Sequence, residues 1–253
     1  MKFDILDKKM RAFETSMDQR IIPDVYMVAR LDGRGFTRLT KELLLLEKPF
    51  DVTFRDAMIT TAKGLADCGF KVRYAYTESD EISLLLDRSE NGFDRKTRKL
   101  GSILAGEASA RFTLAMGAIG VFDCRIIPLP TDALVIDYFR WRAEDANRNA
   151  LNAWCYWKLR EKGFSVYDAT SQLSGRSVSE KNEILFHLGI NYNDLPAWQK
   201  RGVAFYYDMV EKTSFNPVKN EPVVSFKKQW KVDCDLPMND AYDQLLKDVL
   251  QRE

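Results

Sequence analysis

The order of elements in the chain predicts an α+β fold, an antiparallel sheet of the split βαβ kind covered on one face by two helices. Three observations carry that expectation. Strand-like apolar runs alternate with segments of helical period; a polar TESDE separates two such runs as the tip of a hairpin; and 253 residues suffice to bury a substantial core.

Taken in order, VYMVARLD (25 to 32) predicts a buried strand, and VTFRDAMITTAKGLADCG (52 to 69) places apolar residues at helical spacing before a glycine stop. FKVRYAYTESDEISLLLD (70 to 87) predicts a hairpin with acids at its tip. RKLGSILAGEASARFTLAMG (98 to 117) is a helix rich in Gly, Ala and Ser, which suits close packing on a sheet, and CRIIPLP (124 to 130) returns as a strand. Residues 132 to 162 have the period of one long helix carrying Trp141, Trp154 and Trp157. A short helical region, KNEILFHLGINYNDLPAWQKRG, precedes the strand-like VAFYYDMV. The tail from about Thr213, with VVSFKKQWKVD, has no firm assignment, and no repeat or low-complexity linker interrupts the chain.

Composition narrows the function classes. With 38 Lys plus Arg against 37 Asp plus Glu the chain is no global polycation, so a nucleic-acid partner would be held by a local patch. Cys68, Cys124, Cys155 and Cys234 never form C-x-x-C, which suggests neither zinc nor a disulfide framework but reduced thiols. No stretch approaches the roughly 18 apolar residues of a membrane span, and the expectation is a soluble protein of the cytoplasm with no membrane partner. His187 is the only histidine. It reads as a packed or surface helical residue, which removes His-rich metal sites and leaves the chemistry to carboxylates, basic groups and a metal.

The segment VARLDGRGFTRLT (28 to 40) is not a P-loop, and no G-x-G-x-x-G opens a following helix. Asp32 stands instead at a strand's C-terminal end, where Gly33 and Gly35 let the backbone approach a ligand. In the predicted plan that strand end and the hairpin tip lie side by side, making Asp80 and Glu81 partners for Asp32. Two carboxylates and a backbone carbonyl suit Mg2+ ions that take their remaining ligands from water and nucleotide phosphates, and paired ions serve nucleotidyl transfer. The alternative is that Asp32 caps a turn while Asp80 and Glu81 solvate a hairpin tip.

The segments RLDGRGF, EKPFD, YTESDEISLL, RKTRKL, FDCR, DYFRWR and SEKNEILFHLGINYNDLP followed by KRG agree, in order and spacing, with one family. Over roughly residues 5 to 212 the chain resembles the tRNA-histidine guanylyltransferase superfamily, the reverse (3′-to-5′) polymerases. The resemblance implies a palm-like (ferredoxin-like) catalytic domain over 1–135, with a helical and strand extension over 136–253 packed on it as one compact unit. It also implies a homotetramer that binds tRNA and nucleoside triphosphates, ATP or GTP among them, and uses two Mg2+ ions.

By the same resemblance Asp32 and Asp80 bind metal with the Gly33 carbonyl, and Glu81 supports them as a third catalytic acid. Gly33, Arg34, Gly35 and Phe36 lie against the nucleotide, Lys48, Asp51 and Ser79 contact it, and Asp51 accepts from its base edge. Arg30, Arg95, Lys96, Lys99 and Arg125 pair with triphosphate oxygens. Arg140, Arg142, Asn147, Lys181 and Asn182 meet phosphate or the tRNA 5′ end. The long helix departs from the family's H-I-N-N: AEDANRNALNA has Asn147 at the histidine's place and Ala150 at the second asparagine's, and Thr37 replaces a histidine after DGRGF. That departure favours template-dependent repair of 5′-truncated tRNA, activated by ATP or GTP, over guanosine addition to tRNA-histidine. A noncatalytic RNA-binding relative is the third alternative.

Overall fold

The computed structural model describes residues 2–216 and 220–252. Its centre is one antiparallel sheet of six strands in the order β4-β1-β3-β2-β5-β6. The strands are β1 (Tyr26–Arg34), β2 (Val72–Glu78), β3 (Glu81–Leu86), β4 (Val121–Leu129), β5 (Val203–Asn216) and β6 (Glu221–Asp233). The anticipated hairpin is β2 and β3, joined by a two-residue turn at Ser79 and Asp80. The unassigned tail is β6, paired along β5 from Ala204↔Asp233 to Asn216↔Glu221.

Strand alternation divides the core in two. Met27, Ala29 and Leu31 of β1, with Ile82 and Leu84 of β3, face α3 (Val52–Ala66) and α4 (Thr97–Met116). Tyr26 and Val28, with Tyr74, Tyr76 and Leu85, face α5 (Asp132–Glu161) and α9 (Asp240–Gln251). The sheet is therefore covered on both faces, where the sequence predicted one. The second cover is the first half of α5 together with α9, whose amphipathic DAYDQLLKDVL places Tyr242, Leu246, Val249 and Leu250 inward.

The helix α5 begins at a Thr131 cap that accepts the Leu134 N–H and runs for 30 residues, about 45 Å. Its first half packs on the sheet through Val135 and Phe139. Its second half leaves the sheet and builds a third cluster, from Leu151, Cys155 and Leu159, with α6 (Val166–Leu173) and α7 (Val178–His187). The single helix thus ties the sheet to the helical region that ends in α8 (Ala197–Arg201).

One further element stands apart from the cores. At the N-terminus α1 (Phe3–Glu14) buries none of its residues. Among the described residues no helix is long and apolar enough to cross a membrane.

Phe112 of α4 anchors the first core, its ring 4.9 Å from Phe36, 5.7 Å from Phe54 and 5.7 Å from Phe122 between centroids. Phe112→Ala should lower stability by about 3–5 kcal/mol. The check is the urea midpoint at unchanged m-value; a loss below about 1 kcal/mol would mean that the three remaining rings collapse into the gap.

Candidate active site

The strand ends meet as anticipated. Asp32 on β1 lies directly across from Glu81 on β3, and the Gly33 N–H donates to the Asp80 carbonyl at 3.1 Å. The turn that carries Asp80 is tight enough to push Ser79 to a φ of 46°, and the Ser79 hydroxyl donates to Asp80 Oδ1 at 3.0 Å. Gly33 is glycine for a reason apart from ligand approach: a Cβ there would lie 2.5 Å from the Phe36 ring. Gly35 is different, with open space around it but a φ of 73° at the entry to α2 (Phe36–Arg38), the left-handed region glycine tolerates best.

Burial pushes the Asp80 carboxyl up, the Ser79 hydroxyl opposes that, and the Asp32 charge adds to it. No ion pair compensates either carboxylate among the described residues, because the nearby cations are engaged elsewhere. An uncompensated pair of oxygen donors beside backbone carbonyls fits a hard divalent cation. Among the described residues no three His, Cys, Asp or Glu side chains converge as a metal cluster, so such an ion would complete its shell from carbonyls, water and phosphate oxygens.

Glu81, by contrast, is compensated. Its carboxylate is buried and accepts from Arg142 Nε at 2.8 Å and Nη2 at 2.7 Å, while Arg30 Nη2 stands 2.7 Å from Oε2. Expected as a third catalytic acid, Glu81 stands as the counter-ion of two guanidiniums. Arg142, expected at phosphate or the tRNA 5′ end, is likewise committed to protein: buried itself, it also donates to Glu78 at 3.0 Å and Asp145 at 3.2 Å. Two guanidiniums against three carboxylates leave one negative charge in excess. Burial and the Glu81 charge, with Arg142 opposing, push the Glu78 carboxyl up to about 8.

Asp32 and Asp80 line a cavity of about 430 Å³, within the range of nucleotide-sized pockets. Arg30, Lys48, Asp51, Ser79, Glu81 and Arg142 line it too. Lys48 Nζ donates to the Thr40 carbonyl and lies 5.8 Å from the Trp157 ring centroid; burial first, then Lys41, lowers its pKa. Asp51 caps α3, its Oδ1 accepting from Phe54 N–H and its Oδ2 from Glu47 N–H, each at 2.9 Å. Burial would raise that carboxyl, but the backbone donors outweigh it and hold it low.

Lys41, Asn149, Trp157 and Gln199 also line the cavity and were not singled out from the sequence. The usable signal was the spacing of Ala146, Ala150 and Ala153 on α5: small side chains along one helix face leave a groove that ends at Trp157. Lys41 Nζ stands 6.0 Å from that ring.

The remaining expected residues lie outside this cavity. Arg95 is buried in a cage of carbonyls from Val25, Arg88 and Glu90, a structural cation rather than a phosphate ligand. Lys96 pairs with Asp18 at 2.8 Å at the start of α4, and Lys99 is exposed one turn further on. Arg125 and Arg34 are exposed, the former 3.9 Å from Asp123. The Phe36 ring is core. Arg140 is held by Glu144 at 2.9 Å and by Asp243 at 3.0 Å.

On the other side of α5 a second cavity of about 360 Å³ takes Asn147 and Asn182, with Arg148, Asn193, Lys200 and Arg201. Asn147 accepts the Tyr192 hydroxyl on both its carbonyl and its Oδ1 at 2.9 Å, and Asn182 Nδ2 donates to the Val178 carbonyl at 2.9 Å. Lys181 does not line either cavity; its carbonyl accepts from Cys155 Sγ.

The family model for tRNAHis guanylyltransferase matches residues 7–130, and that for the C-terminal domain of the same family matches residues 133–240. The chain is 34% identical over 195 residues to a tRNA(His) guanylyltransferase of Debaryomyces hansenii, covering 72% of this chain and 73% of that one. It is 30% identical over 219 residues to the tRNA(His) guanylyltransferase of Schizosaccharomyces pombe, with 83% and 84% covered. A bacterial tRNA(His) guanylyltransferase-like protein in complex with ATP superposes with a TM-score of 0.77 at 25% identity, over 97% of this chain and 98% of that one. The tRNA(His) guanylyltransferase of Saccharomyces cerevisiae superposes with a TM-score of 0.72 at 29% identity, over 80% and 92%.

Because the folded state holds a proton on Glu78 that the unfolded chain releases near its ordinary value of 4.5, the stability from this group is full below that pH. It is lost as pH rises through about 8. Glu78→Gln should flatten the fall in melting temperature over that window when both proteins are scanned in chelator; parallel curves would remove the assignment.

Proposed function

The chain belongs to the tRNA(His) guanylyltransferase family, and from that premise we propose that it extends the 5′ end of a tRNA with nucleoside triphosphates. The observation that carries the reading is the uncompensated pair Asp32 and Asp80 in the wall of a cavity that also presents Lys41, Lys48 and Trp157.

The first reading is addition of guanosine to tRNA(His), which the names of the relatives favour over the templated repair expected from the sequence. Templated repair is the second reading, favoured by Asn147 where the guanylyltransferases carry a histidine and by likeness to the bacterial protein bound to ATP. Both use the same two displacements. An oxygen of the tRNA 5′-monophosphate attacks the α-phosphorus of ATP or GTP, and pyrophosphate leaves. The 3′-hydroxyl of the incoming nucleotide then attacks the activated 5′ phosphorus, and the nucleoside monophosphate leaves.

Asp32, Asp80 and the Gly33 carbonyl would hold two Mg2+ ions, which when bound would polarise phosphate oxygens and favour ionisation of the attacking hydroxyl. The other roles fall to the chain itself. Lys41 and Lys48, set about the Trp157 ring, offset triphosphate charge that one ammonium could not. The α5 groove and Trp157 shield the reacting groups from water, so that positioning supplies much of the rate. Asn147, Arg148, Lys200 and Arg201 in the second cavity are suited to the acceptor end of the RNA, with Lys181 and Asn182 at the helix that borders it. A homotetramer, the cytoplasm and a catalytic unit over 1–135 extended by 136–253 belong to the same reading.

Asp32→Ala and Asp80→Ala should each lower nucleotide addition by at least about 100-fold with an unchanged circular dichroism spectrum; near-normal activity in either would remove the pair from the mechanism. Lys48→Ala should weaken ATP binding about tenfold by calorimetry, whereas Lys96→Ala should leave it unchanged. The deciding assay offers the protein Mg2+, ATP and single nucleotides with two RNAs, intact tRNA(His) and a 5′-monophosphorylated tRNA lacking its first nucleotide. Guanosine added to the intact tRNA(His), whatever base stands opposite, establishes the first reading. Addition confined to the truncated RNA, and only of the complementary nucleotide, establishes the second.

A further inference from the structure

We propose that Arg142 is a positioning residue that sets the separation of Asp32 and Asp80, by fastening the β2–β3 turn to the face of α5 that lines the nucleotide cavity. The inference rests on the reading that the two carboxylates act together.

Glu78 and Glu81 are the residues on either side of the turn at Ser79 and Asp80, and the one guanidinium grips both. Its Nε and Nη2 take the two oxygens of Glu81 at 2.8 and 2.7 Å, and the same Nη2 reaches Glu78 at 3.0 Å. Nη1 returns to Asp145, one turn along α5, at 3.2 Å. Four of the five donors are thereby committed to protein carboxylates, which suits an anchor and leaves little for a substrate.

The anchor also reaches Asp32. Arg30, two residues before it on the same face of β1, shares Glu81 Oε2 at 2.7 Å. The Trp141 ring lies over both guanidiniums, 4.7 Å from Arg142 and 6.0 Å from Arg30, and shields the ion pairs from solvent. Asp80 itself is restrained, among the described residues, by the Ser79 hydroxyl, by its own backbone and by the Gly33 N–H on its carbonyl. Without the grip on both legs, the turn could tilt about that single backbone bond. A lysine would keep the charge but not the planar fork that holds two carboxylates at once.

The test is Arg142→Lys in the full-length protein, read by amide hydrogen exchange at Gly33 and by the kinetics of nucleotide addition. The expected result is a protein that stays folded, exchanges the Gly33 N–H at least about tenfold faster than the wild type with Leu84 unchanged, and loses about 10- to 100-fold in kcat with little change in KM for ATP. Unaltered exchange at Gly33, or a raised KM at normal kcat, would overturn the proposal, the latter by making Arg142 a ligand contact. If wild-type protein adds no nucleotide to any RNA, the functional reading fails, and the exchange measurement still decides the role of Arg142. Should Arg142→Lys not fold, Glu78→Ala removes one of the two grips and carries the same readout: faster Gly33 exchange supports the anchor, and unchanged exchange refutes it.

Discussion

Five ionisable groups at one end of the sheet, with Glu81 and Arg142 buried at their centre, set the terms for the rest of the molecule. Arg30 and Arg142 face Glu78, Glu81 and Asp145 with contacts between 2.7 and 3.2 Å. A buried ion pair is weak support for stability, but removing one partner strands the other, so these residue types depend on one another. By saturating Glu81, the two arginines leave Asp32 and Asp80 without an internal cation. The negative charge that remains in the cavity is thus concentrated where a metal-bound polyphosphate would be held.

The cluster also explains why the long helix and the hairpin cannot be considered separately. On α5, Arg142 stands one turn before Ala146 and four turns before Trp157, so the segment that binds the turn continues directly into the cavity wall. The third hydrophobic cluster, formed with α6 and α7, holds the far end of that helix. Packing at a distance from the carboxylates therefore bears on the shape of the cavity.

Much of the backbone was legible because its signals are local. The periods of β1, the β2–β3 hairpin, α4 and α5 can be read within windows of a few turns, and the strands lie within a residue or two of expectation except at the start of β4 and at the C-terminal end of β5, which runs on to Asn216. The second layer of cover was missed because the α9 stripe gains meaning only once a sheet face awaits it. Asp32 and Asp80 were legible from strand order alone. Glu81 and Arg142 were not, since their partnership spans 61 residues of sequence. A run such as RKTRK reads as a cationic cluster, yet Arg95 before its lysine turns inward to carbonyls and Lys96 meets Asp18, partners that no spacing rule supplies. Lys41 and Trp157 escaped for the same reason.

That α5 serves as the party wall of two cavities has a consequence for how the chain can change. Ala146, Ala150 and Ala153 face one side, while Asn147, Arg148 and Leu151 face the other. Each residue advances the helix by about 100°. Inserting or deleting one residue after Arg142 would rotate everything beyond it by that angle, disrupting the linings of both chambers and withdrawing Leu151 and Cys155 from their cluster. Substitution can therefore retune either chamber by itself, but a change of length between residues 142 and 157 alters both at once.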